Sequence, residues 1–403
     1  MSNLKLYIVM VGLPARGKST IAARLKENFI RDSVRCRIFN NGDLRRKMIS
    51  GNTSFAAFYS PDNREGDRLR EKIALINISR AQKFLSKGGD VSILDATNAS
   101  LKRRSITKKI LSDHPILFIE CINNDQEILD ASILRKVDTP EFSHIGREEA
   151  VKSFKKRISY YENIYSGIKN EKNFIRLDSL YNKILREKIE RNIPYYDFIR
   201  DFLVTDTVGN LYLIRHGETY FNLENRIGGD SDLTENGKQQ AHALAKHFRN
   251  KNIPLIFTSS KRRTIQTASP ISDMQGKCSI IPLKEFDEID SGICECMSYD
   301  EIRNEMPGVY NSRKKDKYNY IYPGGEGYVT MKARIDKGIK KALYLSNTSK
   351  NIMIIGHRAA NRMILSHFLF RREEDVPYIY VPQDRYYYIS ASQYRKQFIL
   401  KPY

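Results

Sequence analysis

Two stretches of this 403-residue sequence carry residue types suited to handling phosphate. Gly12-Leu13-Pro14-Ala15-Arg16-Gly17-Lys18-Ser19 fits the pattern G-x-x-x-x-G-K-[ST]. Its glycines let backbone N–H groups curl around an anion, and a helix starting there adds the positive end of its dipole. Lys18 is then placed to reach the β- and γ-phosphates of a nucleotide, and the Ser19 hydroxyl to ligate Mg²⁺. Asp95, in Asp95-Ala96-Thr97-Asn98, has the chemistry to hold that metal or to orient an attacking hydroxyl. Capping the turn that follows is its competing, structural role. The second stretch is Arg215-His216-Gly217-Glu218, an imidazole beside a guanidinium, and a later Gly356-His357-Arg358 supplies another histidine. A histidine that attacks phosphorus must be neutral, and nearby arginine charge favours that state by lowering its pKa.

These residues need rigid strand ends to hold them. Apolar runs at Leu6–Val11, Val91–Leu94, Ile116–Ile119, Leu211–Ile214, Leu255–Phe257 and Ile352–Ile355 have the length and continuity of strands buried on both faces. Helical spacing follows the first run at Ile21, Leu25 and Phe29, and recurs at Ala241, Leu244, Ala245 and Phe248. Strand alternating with helix predicts an α/β architecture. The pattern starts twice, at Leu6 and again at Leu211. Lys183–Arg191 is expected as a charged helical stretch and Ile193–Thr207 as a connector. The boundary is therefore placed near residue 205, giving domains 1–205 and 206–403.

Charge narrows the class of partner. Lys and Arg number 68 against 47 Asp and Glu, a net +21, while 41% hydrophobic and 29% charged residues are ordinary for a globular chain. Such an excess favours anionic ligands: nucleic acid, an anionic membrane surface or small phosphates. No apolar run approaches the roughly 18 residues of a membrane span, and no secretory signal is visible at the N-terminus. Five scattered cysteines, Cys36, Cys121, Cys278, Cys294 and Cys296, fit a reducing compartment and no zinc spacing. A cytoplasmic protein without membrane association is expected.

Residues 6 to about 390 resemble the 6-phosphofructo-2-kinase/fructose-2,6-bisphosphatase family. The resemblance rests on Ile8-Val9-Met10-Val11 leading into the glycine loop, Pro61-Asp62-Asn63, Asp95-Ala96-Thr97-Asn98, Arg226-Ile227-Gly228-Gly229-Asp230-Ser231, Thr264-Ile265-Gln266-Thr267-Ala268 and Glu288-Ile289-Asp290, in that order. It implies an N-terminal P-loop kinase, with a parallel sheet flanked by helices, and a C-terminal histidine-phosphatase α/β sandwich. The implied first reaction moves the γ-phosphoryl of MgATP to the 2-hydroxyl of fructose 6-phosphate. ATP would lie on Gly12, Arg16, Gly17, Lys18, Ser19 and Thr20, with Asp95 as the catalytic carboxylate. The sugar phosphate would meet Arg45 (or its neighbour Arg46), Arg70, Thr97, Arg103, Lys136, Arg157 and Tyr161.

In the second domain the resemblance makes His216 the acceptor of the 2-phosphate. Arg215, Arg263 and His357 would clamp the phosphoryl oxygens in a cationic ring, and Glu288 would protonate the leaving oxygen. Asn222, Gly228, Tyr299, Arg313, Lys317, Tyr328, Arg358 and Arg362 match the fructose 2,6-bisphosphate pocket, and a homodimer is the expected assembly. Three departures stand out. A kinase-domain cysteine of the family aligns with Asn123, and Cys121, two residues earlier, is expected to face the other side of its strand. The glutamine that usually follows the second histidine is Arg358. The terminal segments that carry phosphorylation control in animal forms are not expected in this chain.

Two other functions fit part of the pattern. A polynucleotide kinase–phosphatase also pairs a P-loop with phosphate removal, and +21 suits nucleic acid, but no base-stacking module is visible. Nucleic acid is therefore not the expected partner. A catalytically silent sensor of ATP or sugar phosphate is the non-enzyme alternative; the presence of Lys18, Asp95, His216, Glu288 and His357 together argues against it.

Overall fold

Leu6–Val11 forms a strand, β1, in which all six side chains are buried. Its alternate residues serve two cores: Leu6, Ile8 and Met10 pack with Ile21, Leu25 and Phe29 of the helix Lys18–Arg31, while Tyr7, Val9 and Val11 pack with Ile78, Ala81 and Leu85 of the helix Arg64–Ser86. That is why β1 reads as an unbroken apolar run and not as an alternation. Each such side chain, fully buried, contributes about 1.5–3 kcal/mol of transfer free energy.

The computed structural model describes residues 4–49, 53–190, 192–346, 349–369 and 372–403. Contacts divide the chain into two units, Met1–Thr205 and Asp206–Tyr403. In the first, β2 (Cys36–Asn40), β3 (Val91–Asp95), β4 (Ile116–Ile122), β5 (Asn173–Asp178) and β6 (Lys183–Ile189) join β1 in the order β2-β3-β1-β4-β5-β6. All pairings are parallel except β5 with β6. The second holds β7 (Val208–Arg215), β8 (Leu255–Thr258), β9 (Ser279–Pro282), β10 (Asn351–Gly356), β11 (Arg385–Ala391) and β12 (Lys396–Pro402), ordered β12-β11-β7-β10-β8-β9. Four of these strands are parallel, and β11 and β12 add an antiparallel margin. Both units are α/β with mostly parallel six-stranded sheets.

Two local expectations fail. Lys183–Ile189 is a strand, not a helix, and Arg191 lies outside the described residues. It closes one edge of its sheet, where Ile184 and Ile189 turn toward the core and the charged side chains face solvent; charge on an exposed edge strand deters pairing with other chains. The expected connector contains a helix, Tyr196–Val204, because Ile199, Phe202 and Leu203 share one face and bury against the Lys18–Arg31 core.

Candidate active sites

In parallel sheets the loops at the carboxyl ends of the strands gather on one edge, and β1, β2 and β3 deliver the first site there. The loop after β1 runs close to β4: a Cβ on Gly12 would sit 2.5 Å from the carbonyl oxygen of Cys121, and φ is +138°. Only glycine fits that position. Gly17, with φ 80°, then turns the chain into the helix that begins at Lys18. Lys18 is buried, and Nζ donates to the Leu13 carbonyl at 2.5 Å. Burial pushes its pKa down to about 8, against the opposing charge of Asp95. Ser19 is exposed on the first turn, beside Thr20.

Asp95 ends β3 and is 3% exposed. Its register partner Asn40, at the end of β2, donates Nδ2 to Asp95 Oδ2 at 2.5 Å and thereby fixes the carboxylate plane. The Thr97 carbonyl accepts from Gly12 N–H at 3.0 Å, tying the Asp95 turn to the glycine loop. Cys121 corrects the expectation made for it. Residues two apart along a strand share a side, and the buried thiol lies in the field of Lys18 and Asp95, where burial pushes its pKa up to about 12. The thiol is therefore neutral. Asn123 accepts from Asp125 N–H at 3.0 Å, and its buried Nδ2 has no partner among the described residues.

The basic residues separate into two kinds. Arg45 is 4% exposed and bonds Tyr59 and Glu141, whereas the Arg46 side chain is 39% exposed and reaches the outer Glu141 oxygen at 2.7 Å. This distinguishes two neighbours that the sequence leaves interchangeable. Arg157 lies over the Tyr59 ring at 4.0 Å, and Tyr161 is 5.9 Å from the same ring. The Nε atoms of Arg45 and Arg157 are buried without a hydrogen-bond partner among the described residues. Arg70 donates to the Phe58 carbonyl and to Asp67 at 3.1 Å. Arg103 is held by Glu71 at 3.1 Å, and Lys136 is exposed near the end of the helix Gln126–Val137. Arg104, which looks like another anion-binding arginine, is instead locked internally by Glu171 at 2.6 Å.

The second site forms where β7 and β10 end side by side. The His216 N–H bonds the Gly356 carbonyl at 3.0 Å, and the two rings His216 and His357 stand 5.2 Å apart. His216 Nδ1 is 2.7 Å from the Gly217 carbonyl, which can only accept, so Nδ1 carries the proton and Nε2 keeps its lone pair. Burial, followed by Arg263 and Arg215, holds His216 well below its ordinary pKa. A cavity of about 300 Å³ is lined by His216, Arg215, Arg263 and Glu288 together with Asn222, Gly228, Tyr299, Arg313, Lys317, Tyr328, Arg358 and Arg362. Of the expected set only His357 is absent from that lining. It is wholly buried, and burial with Arg263 keeps it neutral rather than cationic.

Other groups hold this cavity in shape. The Glu288 carboxylate accepts from the N–H groups of Ala359 and Ala360 at 3.1 Å, at the positive end of the helix Arg358–Phe368. Arg263 Nη1 donates to the Gly229 carbonyl at 2.7 Å, and Arg362 to Tyr328 at 3.0 Å. Burial brings Arg215 down to about 9, with neighbouring Arg358 adding to the effect, and its Nε is buried without a partner among the described residues. Lys317, near Pro377 and the Tyr378 ring, is brought down to about 8 by burial and by Arg313, Arg362 and Arg358. Gln383, which no sequence motif marks, also lines the cavity. Its amide bridges the His216 carbonyl at 3.2 Å and Asn222 at 2.9 Å, from a position 167 residues beyond His216.

A P-loop phosphotransferase unit followed by a histidine-phosphatase unit is the class these features define. A family model described as 6-phosphofructo-2-kinase matches residues 1–203, and one described as histidine phosphatase superfamily (branch 1) matches residues 211–400. The chain is 35% identical over 402 residues to 6-phosphofructo-2-kinase/fructose-2,6-bisphosphatase 4 of Rattus norvegicus, covering 95% of this chain and 81% of that one. Against 6-phosphofructo-2-kinase/fructose-2,6-bisphosphatase 3 of Homo sapiens it is 33% identical over 397 residues, covering 95% and 74%. The chain belongs to the bifunctional 6-phosphofructo-2-kinase/fructose-2,6-bisphosphatase family.

Proposed function

We propose that residues 1–205 make fructose 2,6-bisphosphate from fructose 6-phosphate and ATP, and that residues 206–403 hydrolyse it through a phosphohistidine. In the first reaction the sugar 2-oxygen bonds the γ-phosphorus as the bond to ADP breaks, and Asp95 takes the hydroxyl proton. Asn40 holds Asp95 in the orientation that accepts it. Lys18 and the glycine loop bind the nucleotide phosphates, and Arg45, Arg70, Arg157 and Tyr161 bind the acceptor. The Ser19 hydroxyl and the Asp95 carboxylate are hard oxygen donors of the kind Mg²⁺ takes. Bound there, Mg²⁺ would neutralise the phosphate charge.

In the second reaction Nε2 of His216 bonds phosphorus as the bond to the sugar 2-oxygen breaks, and Glu288 gives that oxygen its proton. Water then attacks the phosphohistidine and returns a proton to Glu288, releasing phosphate. Arg215 and Arg263 stabilise the charge on the transferring group. The observation that carries this reading is the His216 tautomer, with its unprotonated Nε2, in a cavity walled by Arg215, Arg263 and Glu288. Family membership favours it over a polynucleotide kinase–phosphatase. The same proposal places the protein in the cytoplasm as a homodimer. Free cysteines support a reducing compartment, no helix among the described residues can cross a membrane, and sedimentation velocity tests the dimer.

Incubation with MgATP and fructose 6-phosphate is expected to yield an acid-labile 2-phosphate. Fructose 2,6-bisphosphate labelled at the 2-phosphate is expected to leave label on His216. If neither occurs while a polynucleotide 5′-hydroxyl is phosphorylated, the proposal fails.

A further inference from the structure

Three arginines of the first unit converge on one aromatic ring. Tyr59 closes the short 3-10 turn Ala56–Tyr59 and is 5% exposed. Arg157 lies over its face at 4.0 Å, and the guanidinium carbons of Arg45 and Arg70 each stand 5.7 Å from its centre. The Tyr59 hydroxyl accepts from Arg45 Nη1, and Tyr161 closes the cluster at 5.9 Å. These arginines come from three different elements: the helix Asn41–Met48, the helix Arg64–Ser86 and the helix Arg147–Ile164.

Like charges gathered this closely repel, so something must hold them. Glu141 is the carboxylate bound to Arg45, and it is shared with Arg46. Burial would raise Glu141, but the charges of Arg45, Arg157 and Arg46 outweigh it and keep the group ionised. Arg70 also pairs with the exposed Asp67 at 3.1 Å, but two carboxylates, one of them shared with Arg46, do not balance the cluster. The Phe58 ring and carbonyl help hold Arg70 and the Phe154 ring helps hold Arg157, and Tyr59 is the ring that all three arginines share. Buried Nε atoms on Arg45 and Arg157 still lack partners among the described residues. The cluster is therefore organised by the ring but left electrostatically unsatisfied, as a site for a dianionic phosphate monoester should be.

We infer that Tyr59 is the positioning residue of the acceptor pocket, gathering Arg45, Arg70 and Arg157 into the geometry that receives the 6-phosphate of the sugar. The inference rests on the kinase function proposed above and assigns Tyr59 no contact with the reacting atoms. It separates two contributions, the ring face under Arg157 and the hydroxyl at Arg45.

Steady-state kinetics of Tyr59→Leu and Tyr59→Phe test it in the full chain. Tyr59→Leu is expected to raise KM for fructose 6-phosphate about tenfold, the scale of a buried cation–π contact, with KM for ATP within twofold of wild type. Tyr59→Phe keeps the ring and is expected to raise KM for fructose 6-phosphate by about threefold, the scale of one hydrogen bond. Hydrolysis of fructose 2,6-bisphosphate serves as the internal control and is expected to stay unchanged. An unchanged KM for fructose 6-phosphate in Tyr59→Leu overturns the inference while leaving the kinase function standing. Equal increases for ATP and sugar also overturn it, since a merely structural role would act on both. A wild-type chain that phosphorylates no sugar phosphate overturns the underlying function and the inference together.

Discussion

Arg263 Nε lies 3.2 Å from Nδ1 of His357. A guanidinium only donates, so Nδ1 is the acceptor and the ring proton sits on Nε2. That proton points to the Ser259 hydroxyl, 2.8 Å away, and Ser259 Oγ is in turn 2.9 Å from Thr264 Oγ1. His216 is set the opposite way, with its proton on Nδ1. The two neighbouring imidazoles thus hold opposite tautomers, each fixed by its own environment. His357 turns both ring nitrogens to protein groups and acts on the cavity by holding Arg263.

Ser259→Ala tests that chain. Removing the hydroxyl leaves the buried His357 Nε2–H unpaired, frees the ring to change tautomer and takes away the acceptor that orients Arg263. A hydrogen bond of this kind contributes about 1 kcal/mol, so hydrolysis of fructose 2,6-bisphosphate should fall about fivefold to tenfold. Kinase activity should stay the same. Loss of both activities to the same degree would instead mean global damage.

The pH behaviour of the second unit follows from the two buried histidines. His216 and His357 have folded pKa values well below the ordinary 6.5, owing first to burial and then to Arg263. His216 therefore stays an unprotonated nucleophile as pH falls through 6.5, and kcat/KM for fructose 2,6-bisphosphate should show no histidine-like loss there. Stability moves in the other direction. Below 6.5 the unfolded chain takes up protons that the folded one refuses, so stability should fall as pH drops from 7 to 5. Urea unfolding at both pH values checks the sign, and His216→Ala should remove the phosphoenzyme while sparing the kinase.

The phosphate cradles are legible in the sequence because local backbone geometry makes them. The glycine loop and its lysine occupy eight consecutive residues, and each histidine directly follows an apolar strand. Family membership is legible from the same motifs. Long-range partners are not. Ser259 meets a histidine 98 positions away, Glu141 an arginine 96 away, and Gln383 a backbone carbonyl 167 away. Tyr59 looks like any aromatic before Ser60-Pro61, and only the folded chain surrounds it with arginines. The misread strand β6 shows the reverse problem. Its charges imitate a helix surface, while its real signal, Ile184 and Ile189 facing a core, depends on a sheet that the segment cannot itself declare.

Lys18 yields a prediction for the first unit. Its cation is lost as pH rises through about 8, because burial has lowered its pKa from the usual range. kcat/KM for ATP, which reports the free enzyme, should therefore decline above pH 8, well before an ordinary lysine would titrate. Lys18→Met should remove the kinase at every pH and leave the phosphatase intact. A pH profile flat to 10 would show that Lys18 keeps its proton throughout.

Asp206 opens the second unit and ties its helices together. It accepts from Lys340 at 2.6 Å and from His367 Nε2 at 2.9 Å, while His367 Nδ1 is 2.9 Å from Asp336. Burial alone would raise Asp206, but His367 and Lys340 outweigh it and bring the pKa down to about 2. The carboxylate thus contributes stability that is fully present above the unfolded value near 3.9 and is lost as pH falls through about 2. Asp206→Asn leaves the largely buried Lys340 cation short of its counter-charge and takes a charged acceptor from His367, a loss of about 3 kcal/mol at pH 7. His367 acts with the opposite sign. Burial would lower it, yet the bonds and charges of Asp206 and Asp336 raise it, so its contribution is complete below 6.5 and fades as pH climbs through the raised value. Chemical unfolding of wild type and Asp206→Asn across pH 3 to 9 should show a gap that narrows at both ends of the range. A gap that stays constant would mean that the cluster stabilises by shape and not by charge.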